Sequence, residues 1–116
     1  MVIQPFLPSL FSHNSTPSAY PPSRAQGLLP LNLYYAWGLE PSDTTFQNAI
    51  QESAAYLKAK AVAEGQDVAD AAVYGNYAIS STPLEDIYGA NLPRLQAIKA
   101  QYAPSNVLGL AGGWRF

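Results

Sequence analysis

AAVYGNYAISSTPLEDIYGANLPRLQAIKAQYAPSNVLGLAGGWRF, residues 71–116, runs from a strand-like segment through two helix starts to a glycine-rich exit. Its first nine residues, Ala71 to Ile79, hold the branched and aromatic side chains that favour extended backbone, and Gly75 interrupts them where a bulge or a close approach is expected. On such a strand Tyr74 and Asn76 share one face, because side chains alternate with a period of two, and Tyr77 takes the other face as core. Thr82-Pro83-Leu84-Glu85 then combines a capping Thr, a Pro at the first helical position and a Glu three residues after the cap, which predicts a short helix broken by Gly89. Asn91 is placed to cap a second helix, with Pro93 tolerated in its first turn and Leu92, Leu95, Ile98 and Tyr102 as its buried stripe. This stripe is expected to pack on the sheet. Pro104 stops the helix, since a residue before proline is pushed out of the helical region.

Upstream, Ser42 and Asp43 offer N-cap oxygens to a third helix. Phe46, Ile50, Ala54, Leu57 and Ala61 recur at helical spacing, and Gly65 supplies its end. Residues 1–41 differ in character and hold seven of the ten prolines. Val2 to Leu7 reads as an edge strand, Ser12 to Gly27 as a long loop, and Leu28 to Trp37 as the best strand of this part. The sum is an α+β chain in which a few antiparallel strands pack with two main helices behind an irregular, Pro-rich N-terminal third. The boundary falls between residues 1–41 and 42–116.

With 116 residues one modest core is the ceiling. Charged residues make up 12%, against about 25% in an ordinary domain, so part of the surface is expected to be covered by another domain or chain. The net charge is −2 and the six Lys and Arg are scattered, which excludes a phosphate-binding stripe and nucleic acid as a partner. No apolar run reaches the roughly 18 residues of a membrane span, so no membrane is expected. The apolar start, Met1 to Phe11, is broken by Pro5 and Pro8 and lacks a basic leader, making a poor signal peptide and the cytoplasm the default compartment. Cysteine is absent and His13 is the single histidine, which leaves no disulfide, no thiol nucleophile and no expected metal site. Asn14-Ser15-Thr16 is a glycosylation sequon without a secretory context.

The Tyr-x-Asn-Tyr of residues 74–77, the Tyr-Gly-x-Asn of 88–91, the Arg-Leu-x-x-Ile-Lys of 94–99 and the Pro-x-Asn-Val of 104–107 together resemble the carboxy-terminal segment of flavin-linked oxidases of the berberine-bridge type. The closing Gly-Leu-Ala-Gly-Gly-Trp is most similar to fungal members that oxidise or cyclise secondary metabolites. Ser18-Ala19-Tyr20-Pro21 stands where many relatives carry Ala-Phe-Pro-His-Arg; here Pro22 and Ser23 precede Arg24. The acid that usually precedes the exit proline is Ala103, a change expected to weaken the turn at the helix end. The resemblance implies an incomplete piece of the oxidase substrate domain, an antiparallel sheet backed by helices. It also implies FAD as the family's cofactor, linked in an amino-terminal domain whose linkage residues these 116 do not carry. No flavin is therefore expected on this chain alone. By the same resemblance Tyr74 is the catalytic candidate, facing substrate as base or orienting group, and Asn76 is the cofactor-binding candidate.

Each of these residues also has a plain structural reading. Tyr74 can be packing, and an ordinary phenol is a poor base until a cation lowers its pKa, with no lysine near it in sequence. Asn76 can be a turn amide. Glu85 and Asp86 are explained as helix-start charges, and Gly112-Gly113 lacks the Lys-Ser/Thr of a phosphate loop. His13 and Arg24 read as solvated. Two functions stand open. One is the substrate-side portion of an FAD-linked oxidoreductase, served by a flavin-bearing chain or by self-association and acting on a hydrophobic small molecule. The other is a standalone module that binds or cyclises a hydrophobic metabolite without redox chemistry.

Overall fold

The structure, a computed structural model, describes residues 1–13, 15–16, 18–21 and 27–116. Asn14 of the sequon, and Pro22, Ser23 and Arg24 of the loop, lie outside the described residues. The architecture is α+β, with two short antiparallel strands and two main helices. The chain divides into two compact units, Met1–Gln4 with Leu31–Ala71 and Pro5–Pro30 with Ala72–Phe116.

In the first unit β1 (Val2–Ile3) pairs antiparallel with β2 (Leu31–Asn32), Val2 opposite Asn32 and Ile3 opposite Leu31. Both expected strands are thus much shorter than the sequence suggested. Pro5 follows the first and Pro30 precedes the second, and a proline has no N–H to give a ladder. A single 3-10 turn, Glu40–Ser42, leads into α2 (Asp43–Ala63). The expected cap is not made: Ser42 forms no side-chain bond to the helix, and Asp43 instead accepts the Trp37 indole N–H at 2.5 Å. Trp37 stacks on Phe46 with ring centroids 5.1 Å apart and planes 7° from parallel, while the Tyr35 and Ser53 hydroxyls meet at 2.9 Å.

The C-terminal end of α2 follows the sequence closely. Gly65 adopts φ +84°, Gly65 N–H donates to Val62 O at 2.9 Å and Gln66 N–H to Ala61 O at 3.0 Å, the paired bonds of a Schellman motif. A side chain at that φ would be strained, and glycine removes the penalty. Along the apolar stripe Phe46, Ile50 and Ala61 are half-buried, whereas Ala54 and Leu57 are exposed.

The second unit begins with an antiparallel bridge in which Phe6 and Leu28 exchange N–H···O bonds of 2.7 and 2.9 Å. It continues into a five-residue helix, α1 (Pro8–Ser12), between the expected edge strand ending at Leu7 and the expected loop starting at Ser12, where no helix was anticipated. Residues 72–79 form no strand. Val73 N–H donates to Asp86 O at 2.8 Å, and the chain then turns back, with Tyr74 O accepting from Tyr77 N–H at 2.8 Å and Ala78 N–H at 3.1 Å. Gly75-Asn76 is turn chemistry, and here it overrides the strand preference of its neighbours.

Beyond the turn come α3 (Leu84–Tyr88), a 3-10 turn at Gly89–Asn91 and α4 (Leu92–Tyr102). Both helices start where expected, but without the expected caps. Pro83, not Thr82, precedes α3 with no side-chain bond, and the Asn91 amide is committed to Ala19 O at 3.1 Å. The core of the described residues is Ile87 (1% exposed), Leu92 (5%) and Ala103 (7%). Within this unit α4 meets α3, and two residues of its expected buried stripe are exposed, Ile98 at 43% and Tyr102 at 77%. Ala103 N–H closes the helix on Lys99 O at 2.8 Å, and Asn106 N–H returns to Ala103 O at 2.9 Å. The turn is complete with alanine. An acid so deeply buried would have to shed its water, so the apolar residue suits this packing.

Candidate functional site

The turn at 74–77 places Tyr74 at the centre of an aromatic cluster. Its ring meets Phe6 edge to face at 5.0 Å, Tyr77 edge to face at 5.0 Å, and Tyr20 at 5.8 Å with planes 38° apart. Phe11 extends the cluster through Phe6 at 6.3 Å. Edge-to-face pairs set the positive rim of one ring against the negative face of the next, so the rings hold one another in place beyond the area they bury.

The sequence placed Tyr74 and Asn76 on one face of a strand; no strand forms, and a turn brings the two side chains together. The exposed Asn76 amide donates from Nδ2 to the Tyr74 hydroxyl across 2.6 Å. That leaves the second N–H and the Oδ1 lone pairs of Asn76 for another partner, and the Tyr74 proton for an acceptor. Tyr77 does not take an opposite face as core; it lies half-buried against the ring of Tyr74. Behind the turn, the point where a Gly75 side chain would begin is 3.3 Å from Trp114 Nε1 and 3.6 Å from Ile87 Cγ2. The interruption in the strand-like run is thus the seat of an indole, the close approach expected of Gly75.

Tyr20 is the residue that sequence reasoning passed over. Its hydroxyl is buried and has no hydrogen-bond partner, and its pKa is pushed up to about 12 by burial and, to a lesser degree, by the charge Tyr74 can carry. Sequence position marked the Ser18-Ala19-Tyr20-Pro21 segment, but nothing local announces that its ring reaches Tyr74, 54 positions on. Ser18 Oγ donates to Tyr20 O at 2.7 Å and steadies the segment. His13 is exposed. Among the described residues no group of His, Asp and Glu is arranged to hold a metal ion, and no helix is long and apolar enough to cross a membrane.

Residues 73–112 match the family model described as berberine and berberine-like, 40 of the 116 residues. The chain is also similar to an FAD-linked oxidoreductase of Pyricularia oryzae, 57% identical over 44 residues, which is 37% of this chain and 9% of the relative. The chain thus spans a small fraction of that protein's length. No solved structure matches. The matched family segment contains the turn with Tyr74 and Asn76, the helices α3 and α4, and the buried Ile87 and Leu92.

Proposed function

We propose that this chain is the substrate-side, carboxy-terminal portion of an FAD-linked oxidoreductase that oxidises a hydrophobic small molecule, in the manner of fungal secondary-metabolite enzymes. The observation that carries the reading is the Asn76–Tyr74 hydrogen bond at the tip of a turn inside the berberine-like segment. It joins a phenol and a primary amide at the edge of an apolar aromatic cluster. The residues suit one edge of a flavin ring: the unused N–H and Oδ1 of Asn76 match a polar edge of donors and acceptors, and the rings of Phe6, Tyr77 and Tyr74 offer apolar surface for a flat substrate. They do not suit the pyrophosphate, which calls for a glycine-rich helix start that is not found among the described residues. A flavin-bearing partner region, in this or another chain, is therefore part of the reading.

When bound, the flavin would take up two electrons from the substrate. The part of this chain is orientation. The Tyr74 hydroxyl accepts from the Asn76 amide and so keeps its own proton to donate to an oxygen of the substrate. The test is Tyr74→Phe in an assembled flavoprotein carrying this segment, since only a hydroxyl is removed. Flavin reduction by substrate should slow by ~10-fold or more while flavin retention is unchanged. An unchanged rate would remove Tyr74 from the reaction.

A further inference from the structure

The Tyr20 hydroxyl is buried without a partner, although burying a hydroxyl unsatisfied is destabilising. Such groups are rare in folded chains, and each asks what partner it awaits. The ring of Tyr20 lies 5.8 Å from that of Tyr74, and Tyr74 is the residue whose charge acts on the Tyr20 hydroxyl. The Tyr74 oxygen already accepts one donor, the Asn76 amide, and as an anion it would have room for a second.

We propose that Tyr20 is a positioning residue for Tyr74: the two hydroxyls are not bonded in the resting chain, and whenever the Tyr74 oxygen carries negative charge the adjacent Tyr20 ring shifts to bring its O–H to that oxygen, completing a two-donor cradle with Asn76. Burial keeps Tyr20 protonated, and therefore a donor, to about pH 12. Tyr20, Tyr74 and Tyr77 are the titratable groups of the cluster among the described residues. In the resting chain the Tyr20 hydroxyl is orphaned; with charge on Tyr74 it is satisfied. This would let Tyr74 serve as proton acceptor as well as orienting group. That use rests on the function proposed above, but the coupling of the two phenols does not.

The experiment follows the Tyr20 ring carbon bearing oxygen by NMR, in the whole 116-residue chain labelled at tyrosine, through an alkaline titration without flavin. In the unsubstituted chain the Tyr20 signal should show a separate step that coincides with the ionisation of Tyr74, followed at the Tyr74 ring carbon in the same spectra. In Tyr74→Phe that step should vanish, and the Tyr20 midpoint should fall because the repelling charge is gone. A Tyr20 signal in the unsubstituted chain that ignores the ionisation of Tyr74 overturns the proposal, whether or not the variant folds. So do identical curves in the two proteins. Because no flavin enters, failure here leaves the oxidase reading to its own test, and failure of that reading leaves this coupling intact.

Discussion

The indole nitrogen of Trp114 lies 3.3 Å from the point where a side chain on Gly75 would start, so the carboxy-terminal tail closes over the back of the turn that carries Tyr74 and Asn76. Ile87 Cγ2, at 3.6 Å, completes the contact. The site face of the turn and its packed face are thus the two sides of one glycine.

Gly75→Ala should therefore push on Trp114 by a few tenths of an ångström and destabilise the chain by ~1 kcal/mol, a small overpacking effect. Urea unfolding followed by tryptophan fluorescence checks this. A variant as stable as the parent, with an unmoved emission maximum, would place the indole elsewhere.

Ile87 and Ile98 are chemically identical but differently placed, at 1% and 43% exposure. Ile87→Ala should cost about 2–5 kcal/mol, enough to unfold a marginal chain, whereas Ile98→Ala should cost less than about 1 kcal/mol. Thermal melts of the two variants side by side decide it, and equal losses would contradict the packing of α3 on α4.

Tyr20 gives the chain an alkaline liability. Its pKa is raised from 10.0 to about 12, so between these values the unfolded chain has shed a proton that the folded chain still binds. Stability is intact below pH 10 and falls as pH rises toward 12. Tyr20→Phe should flatten this loss, and near neutral pH should leave stability unchanged or improved because an orphaned hydroxyl is removed. Denaturation midpoints across the alkaline range, compared between parent and variant, check both points.

What could be read in the sequence divides along physical lines. Helix existence and helix ends were legible where backbone chemistry is local: Gly65, Gly89 and Pro104 end α2, α3 and α4 as expected. Caps were not, because Asp43 and Asn91 found better partners in Trp37 and Ala19 through tertiary contact. Strands were overread, since aromatic and branched residues around Gly75-Asn76 suit a strand while the dipeptide itself dictates a turn. Tyr74 and Asn76 were expected side by side on one face of a strand; instead a turn bonds them to each other, a contact that strand alternation does not predict. Tyr20 stayed hidden because its contact to Tyr74 joins distant parts of the chain.

The most direct measurement puts residues 73–112 of this chain in place of the corresponding segment of the Pyricularia oryzae FAD-linked oxidoreductase and reads the visible absorbance of flavin after gel filtration. The chimera should fold and retain flavin as the parent does, with a lower retained fraction when Asn76→Ala is added. A folded chimera that retains no flavin, or one whose flavin content is indifferent to Asn76, would contradict the oxidase reading.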